Sequence, residues 1–306
     1  MDRRPSTRSL TEVSGITSLQ HLRAQPDLDS KATLTPYCLV GDSEIVLIET
    51  SSLDSLQNAD FLYLEQRKIG LSYLQVPIDF LDINARKPQA HWLFSPGRAG
   101  TTLLTKYLRL SGKAVISECD VHTNLASSEI SEHSCQRIAR ASNAHLFPGE
   151  QKVFVKLRAQ CALKPQKLVS DNDAVSYIWR NAEEWFRSQA RLFGAGPVQL
   201  SNFLLAAINA RAQFETLGVK ISDISTSDII ERPGFVLGLL GLEGAEIEHI
   251  PNDFDVQQNS PVSRENLNFE VDVSETRKFN RLLEDGLQGL TEIGAVNAKI
   301  RDALLG

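Results

Sequence analysis

The sequence predicts an α/β fold: a largely parallel central sheet covered by helices in three layers, with a small N-terminal module of strand character. Three observations carry this. From residue 91 onward, short apolar runs alternate with amphipathic stretches of helical length, the pattern of βα crossovers. One of those runs, His91–Phe94, passes through a small-residue turn into two threonines and a helix, the layout of a phosphate-binding loop. Residues 37–90, by contrast, hold short apolar runs at closer spacing.

Taken in order, residues 1–36 are rich in Ser, Thr, Asp and Arg, with Pro5, Pro26 and Pro36. They read as a flexible lead-in, with a helix over Ser18–Ala24. Residues 37–90 form an accessory module with expected strands at Glu44–Glu49, Phe61–Leu64 and Leu71–Val76 and a turn at Gly70. The module carries no chemical constellation. Its role is either to cover an edge of the main domain or to serve acceptor recognition or oligomer contact. Residues 91–306 form the main domain. Its expected strands are His91–Phe94, Ala114–Ser117, Val153–Leu157, Val175–Trp179 and Val219–Ser222. Its expected helices are Ala99–Leu110, Ser134–Ser142, Asn181–Phe193, Gln199–Leu217 and Ser227–Leu240. The stretch 251–273 reads as a loop or lid, followed by a helix from Ser274 to about Leu290 and a further segment to Leu305. Ligands of such a sheet bind beyond the carboxyl ends of its strands.

Composition narrows the class. Lys+Arg of 32 against Asp+Glu of 38 gives a net charge of −6, which disfavours a nucleic-acid partner. The four cysteines, Cys38, Cys119, Cys135 and Cys161, show no CxxC pairing and no zinc spacing, and His122 with Cys119 and Cys135 is too irregular for a metal site. They read as reduced thiols. The opening Met1-Asp2-Arg3-Arg4-Pro5 leads into polar sequence, and no run reaches the ~18 apolar residues of a membrane span. The expectation is a cytoplasmic protein without a metal cofactor.

The loop is not a nucleoside-triphosphatase loop. That motif places Lys-Ser/Thr directly after a second glycine, where the lysine meets the β- and γ-phosphates. Here Gly97 and Gly100 are three residues apart, and Thr101 stands in the lysine's place. Arg98 is the sole cation of the turn, and the spacing also misses the dinucleotide fingerprint. A second constellation lies downstream. Val175–Trp179 ends in Arg180, and Ser188 follows eight residues later, two turns into the next helix, where the pair can close on one anion.

Together these segments resemble the sulfotransferases that use 3′-phosphoadenosine 5′-phosphosulfate (PAPS). Ser95-Pro96-Gly97-Arg98-Ala99-Gly100-Thr101-Thr102-Leu103-Leu104 resembles their 5′-phosphosulfate loop. Its arginine is similar to the tyrosylprotein and carbohydrate branch, whereas the cytosolic small-molecule enzymes carry lysine there. Ile178–Ser188 resembles the 3′-phosphate motif, with Ala182 where a proline is common. Val153–Lys156, Val219–Ile224 and Phe235–Leu242 resemble later family segments in the same order. The likeness spans about 91–245. The late Arg-Lys-Gly…Gly segment of the cytosolic enzymes has no clear counterpart; Ser260–Arg264 lies in its region. Nothing in 1–90 resembles the family core.

The resemblance implies a P-loop fold, PAPS as donor, and transfer to a hydroxyl or amine of a carbohydrate, peptide or specialised metabolite. Gly97, Arg98, Ala99, Gly100, Thr101 and Thr102 would hold the 5′-phosphosulfate; Arg180 and Ser188 would hold the 3′-phosphate. Lys156 would serve the bridging oxygen, since a guanidinium such as Arg98 does not release its proton. Glu118, just beyond the second expected strand, is the first candidate for the base, with Asp120 and His122 behind it. His133 and His145 read as ordinary surface or core histidines. Two other readings stay open: an ATP- or GTP-dependent small-molecule kinase with an atypical loop, and a non-catalytic nucleotide-binding protein on the same fold.

Overall fold

A computed structural model describes residues 33–81, 88–243 and 271–305. The chain divides into two compact units, one within 1–92 and 113–174, the other within 93–112 and 175–306. The α/β class expected from the sequence forms: a five-stranded parallel sheet flanked by helices, and a separate three-stranded antiparallel sheet. The helix expected over Ser18–Ala24, the segment Ser260–Arg264 and most of the expected 251–273 loop lie outside the described residues.

In the first unit, β1 (Thr33–Val40) and β2 (Glu44–Thr50) pair antiparallel across a turn at Gly41, with Leu39 opposite Ile45. Strand β3 (Gly70–Pro77) pairs along the other edge of β2, with Leu47 opposite Leu74. Between β2 and β3 run α1 (Leu53–Gln57), capped by Ser52, and α2 (Leu62–Ile69). Phe61–Leu64 is therefore not a strand. A four-residue apolar run fits either period, and here Leu62, Tyr63 and Gln66 fall together on the buried face of a helix. Tyr37, Cys38, Val46, Ile48 and Tyr63 form the core of this small module.

The same unit holds α4 (Asp120–Ser127) and α5 (Glu132–Leu146), against which β1 packs; the Leu39 amide donates to the Asn124 side chain at 3.0 Å. It also holds two parallel strands, β5 (Val115–Ser117) and β6 (Lys152–Lys156), with Ile116 opposite Val155. Helix α4 had no apolar periodicity long enough to announce it, being only 8 residues long.

Strand β4 (Gln89–Phe94) is the middle strand of the five-stranded sheet, whose order is β5-β6-β4-β7-β8. Its residues from Ala90 to Phe94 are all buried, as a strand covered on both faces requires. In the second unit, α3 (Thr101–Leu110) follows the loop after β4. Strand β7 (Ala174–Trp179) leads into α6 (Ala182–Phe193) and α7 (Pro197–Thr216). Strand β8 spans Ile221–Ser225, later than expected, because Gly218 at φ 86° turns the chain just before it. Ile178 faces Ile224 in the parallel β7–β8 register. The single helix expected over Ser227–Leu240 is two, α8 (Thr226–Glu231) and α9 (Pro233–Leu239). Pro233 forces the break: it lacks an amide and pushes Arg232 out of the helical region, to φ −136°. Helices α10 (Val273–Glu292) and α11 (Ala298–Leu305) complete the described chain.

Two contacts organise this second unit. Phe186 of α6 stacks on Phe279 of α10 at 4.5 Å between centroids, and Trp185 adds to the same aromatic core. Arg211 of α7, its side chain 2% exposed, donates to both carboxylate oxygens of Asp223 on β8, at 3.2 and 2.6 Å. Asp223 also accepts from the Trp179 indole at 2.8 Å. Removing one member leaves the other charge buried. Arg211→Met is expected to cost about 3–5 kcal/mol in urea unfolding, and Arg211→Met with Asp223→Asn distinctly less than the sum of the single changes.

Candidate anion site and a buried ion cluster

The loop after β4 is shaped by three left-handed residues. Gly97 (φ 82°), Arg98 (φ 55°) and Gly100 (φ 78°) curl the chain so that Gly100 becomes the N-cap of α3. At Gly100 a side chain would have to fit against the Thr226 methyl, 3.2 Å from the Cβ position. The loop's carbonyls are tied down by α6 and α8. Trp185 donates its indole N–H to Gly97 O at 2.9 Å, Gln189 donates to Pro96 O at 3.2 Å, and the Thr226 hydroxyl donates to Ala99 O at 2.9 Å. With its carbonyls so committed, the loop leaves amides over. Among the described residues, no acceptor meets the amides of Arg98, Ala99, Gly100 and Thr101. They sit at the positive end of a 10-residue helix.

Arg98 is the unusual member. Its Nε donates to the Ser188 hydroxyl at 3.1 Å, and no carboxylate approaches it among the described residues. The neighbouring cation is Arg180, whose Nη1 donates to the Arg98 carbonyl at 3.3 Å while its Nε meets Glu184 at 3.0 Å. Burial, and then the like charge of Arg180, pull the Arg98 guanidinium below its ordinary pKa. The structure thus brings together Gly97, Arg98, Ala99, Gly100, Thr101, Arg180 and Ser188, with Thr102 in the first turn of α3. Ser188 contacts Arg98 rather than Arg180, a link across 90 residues that spacing along one helix could not reveal. Four amides that meet no acceptor and an arginine that meets no carboxylate, among the described residues, are the groups with which proteins hold oxyanions.

In the other unit, the residues after β5 and β6 form a cluster of opposite character. The Lys156 ammonium, 2% exposed, lies 2.9 Å from Glu118 Oε1. Arg158 reaches Glu118 Oε2 at 3.7 Å and forms an ion pair with Asp120 Oδ1 at 2.5 Å. Arg67 of α2 closes the chain at 3.4 Å from Asp120 Oδ2. Burial raises the Asp120 carboxyl, with Arg158 and Arg67 pulling against it. Burial also opposes the charge on Arg158, but Asp120 and Glu118 outweigh it and its pKa is raised. Among the described residues, only two non-glycines adopt positive φ: Arg98 and Glu118, the latter at 57°. Each such residue costs about 1–2 kcal/mol, and such strain gathers where a side chain must be aimed.

His122 and Asp120, the other two candidates for a base, are not placed for that role. Asp120 is fully buried and engaged by two arginines, and His122 is 0% exposed inside α4, edge-on to Trp92 at 5.4 Å. The short helix turns both side chains inward, which the linear spacing did not disclose. Burial lowers the His122 pKa from 6.5 to about 4, against a weaker opposing pull from Asn143 and the Ala139 backbone. No group of three or more His, Cys, Asp or Glu residues suited to a metal occurs among the described residues, and no described helix is long and apolar enough to cross a membrane. Compared with known proteins, the chain matches no family profile and no curated protein.

The buried histidine has a pH consequence. Its folded-state pKa lies below its unfolded one, so the stability it contributes is complete above about pH 6.5 and is lost as pH falls toward 4. At 1.4 kcal/mol per unit, the window is worth about 3.5 kcal/mol. Asp120, raised by burial, works in the opposite direction, so the comparison must isolate the histidine. His122→Gln is expected to flatten the fall in urea-unfolding stability between pH 6.5 and 4; an unchanged slope refutes the assignment.

Proposed function

We propose that the protein transfers a sulfuryl group from PAPS to a hydroxyl or amine acceptor. The observation that carries this reading is Arg98: a partly buried cation beside a second arginine, at the mouth of four unpaired amides, with no carboxylate among the described residues to balance it. A phosphosulfate supplies the missing negative charge. The likeness of Ser95–Leu104 and Ile178–Ser188 to the two PAPS motifs supports this choice among oxyanions.

In the transfer, an S–O bond to a hydroxyl acceptor, or an S–N bond to an amine, forms as the S–O bond to the bridging oxygen breaks, and negative charge grows on that oxygen as it departs with the phosphate. The amides of Arg98 through Thr101, with the Thr101 and Thr102 hydroxyls, would hold the 5′-phosphosulfate, and Arg98 would offset the developing charge. Arg180, with Ser188 steadying Arg98, would meet the 3′-phosphate. Lys156 would donate a hydrogen bond or proton to the bridging oxygen, and Glu118 would take the proton leaving the acceptor.

Calorimetric titration with 3′,5′-adenosine bisphosphate, and in parallel with ADP and with ATP plus Mg²⁺, tests the donor site. Selective binding of the bisphosphate without metal is expected. Arg98→Ala should weaken it at least tenfold, about 1.4 kcal/mol or more. Glu118→Gln should leave it unchanged. Preference for ATP with Mg²⁺ supports a kinase instead, and binding of none of the three removes the reading.

A further inference from the structure

The small antiparallel module carries no motif, yet its helix α2 reaches the ion cluster. Arg67 contacts Asp120 at 3.4 Å and its Nε donates to the Tyr37 hydroxyl. The Arg158 guanidinium lies 3.9 Å from the Tyr63 ring centroid, and Lys156 Nζ lies 4.8 Å from the Phe61 ring centroid. The Ser117 hydroxyl, next to Glu118, donates to Asp60 O at 2.5 Å. Residues 60–67 therefore touch every cation of the cluster and the strand end that bears Glu118. These charges form one line: Arg67, Asp120, Arg158, Glu118, Lys156.

We propose that Arg67, with the Tyr63 ring, is a positioning residue for the Glu118–Lys156 pair, acting through Asp120 and Arg158. The role of that pair rests on the sulfuryl-transfer reading; the positioning itself does not. Arg158 is shared by two carboxylates. When Arg67 neutralises part of Asp120, Arg158 is freed to hold Glu118 Oε2, and Glu118 keeps its left-handed backbone with both oxygens engaged. The Glu118 amide also donates to Lys156 O at 2.9 Å, so the backbone and side chain are pinned to the same residue. The face of Tyr63 stabilises the guanidinium without offering a hydrogen-bond acceptor that would compete with Glu118. The ionisable groups in contact with Glu118 are Lys156 from β6 and Arg158 from the turn after it; Tyr63 of α2 and Cys161 feel its charge, and Asp120 at the head of α4 shares Arg158 with it.

This arrangement makes a prediction of opposite signs. Removing Arg67 gives Asp120 a larger share of Arg158 and loosens Glu118. Removing the charge of Asp120 gives Arg158 wholly to Glu118 and tightens it. General loosening of the fold would expose Glu118 in both cases. The test is carbodiimide coupling of glycine ethyl ester to carboxylates, read by mass spectrometry at Glu118 in the full chain, with melting curves recorded alongside. Arg67→Met is expected to raise Glu118 labelling about threefold or more, Arg67→Lys to restore the wild-type level, and Asp120→Asn to lower it. In the Asp120→Asn background, Arg67→Met should have no further effect. Labelling that rises in both single variants, or a Lys variant that behaves like Met, overturns the proposal. Should Asp120→Asn not fold, the Met and Lys variants decide alone. Titration with 3′,5′-adenosine bisphosphate is run on each variant and should be unchanged. Its absence in the wild type would count against the donor site and leave the labelling result standing.

Discussion

The charge of Arg98 is the constraint on which the second unit turns. A guanidinium cannot shed its proton to escape burial, so it must be compensated by a partner or by a ligand. The protein offers it a serine hydroxyl and places a second arginine beside it. Everything around the loop then serves to keep that arrangement from relaxing. Trp185 and Gln189 hold the Pro96 and Gly97 carbonyls, and Thr226 holds both Ala99 O and Trp179 O, so one hydroxyl joins the loop to the end of β7. Carbonyls turned into the protein leave amides turned away from it. The unpaired amides are a consequence of where the loop's acceptors are spent.

The Glu118 cluster solves the opposite problem. Five charges lie close together, three positive and two negative, and each carboxylate is met by two cations. Buried ion pairs are weak evidence for stability, because desolvation offsets most of their attraction. A hydrophobic pair of similar volume would hold β6 to α4 at least as well. Keeping five charges there, under aromatic faces from the N-terminal module, is better explained by what the charges do. The left-handed backbone at Glu118 points the same way. Strain of this kind survives only when surrounding contacts over-determine it, and here the Lys156 carbonyl, the Lys156 ammonium and Arg158 do so.

Much of the fold was legible because it is periodic. The strand at His91–Phe94, and the strand and helix on either side of Arg180, follow from runs whose burial matches their period. The turn at residues 97–100 was legible because glycines between a strand and a helix mark one. What could not be read is of two kinds. Short elements carry too little pattern: Phe61–Leu64 fits strand and helix equally, and α4 is two turns long. Long-range partners leave no trace in spacing. Ser188 belongs to Arg98, Arg67 to Asp120, and Glu118 to Lys156, each fixed by strand order rather than by sequence distance.

Arg98 and Glu118 also show why backbone geometry is the more discriminating guide here. Judged by charge alone, the chain offers many ion pairs; Arg211–Asp223 is as buried as any and only ties a helix to a strand. Judged by residue type, Asp120 and His122 are as good a base as Glu118. Neither criterion separates structure from chemistry. Positive φ is a separate criterion, because a non-glycine residue gains nothing in stability by adopting it. Among the described residues it occurs at two such positions, one in the loop that gathers unpaired amides and one on the carboxylate that faces the buried lysine. Both residues were singled out from sequence by their chemistry, and both adopt a backbone conformation that costs stability.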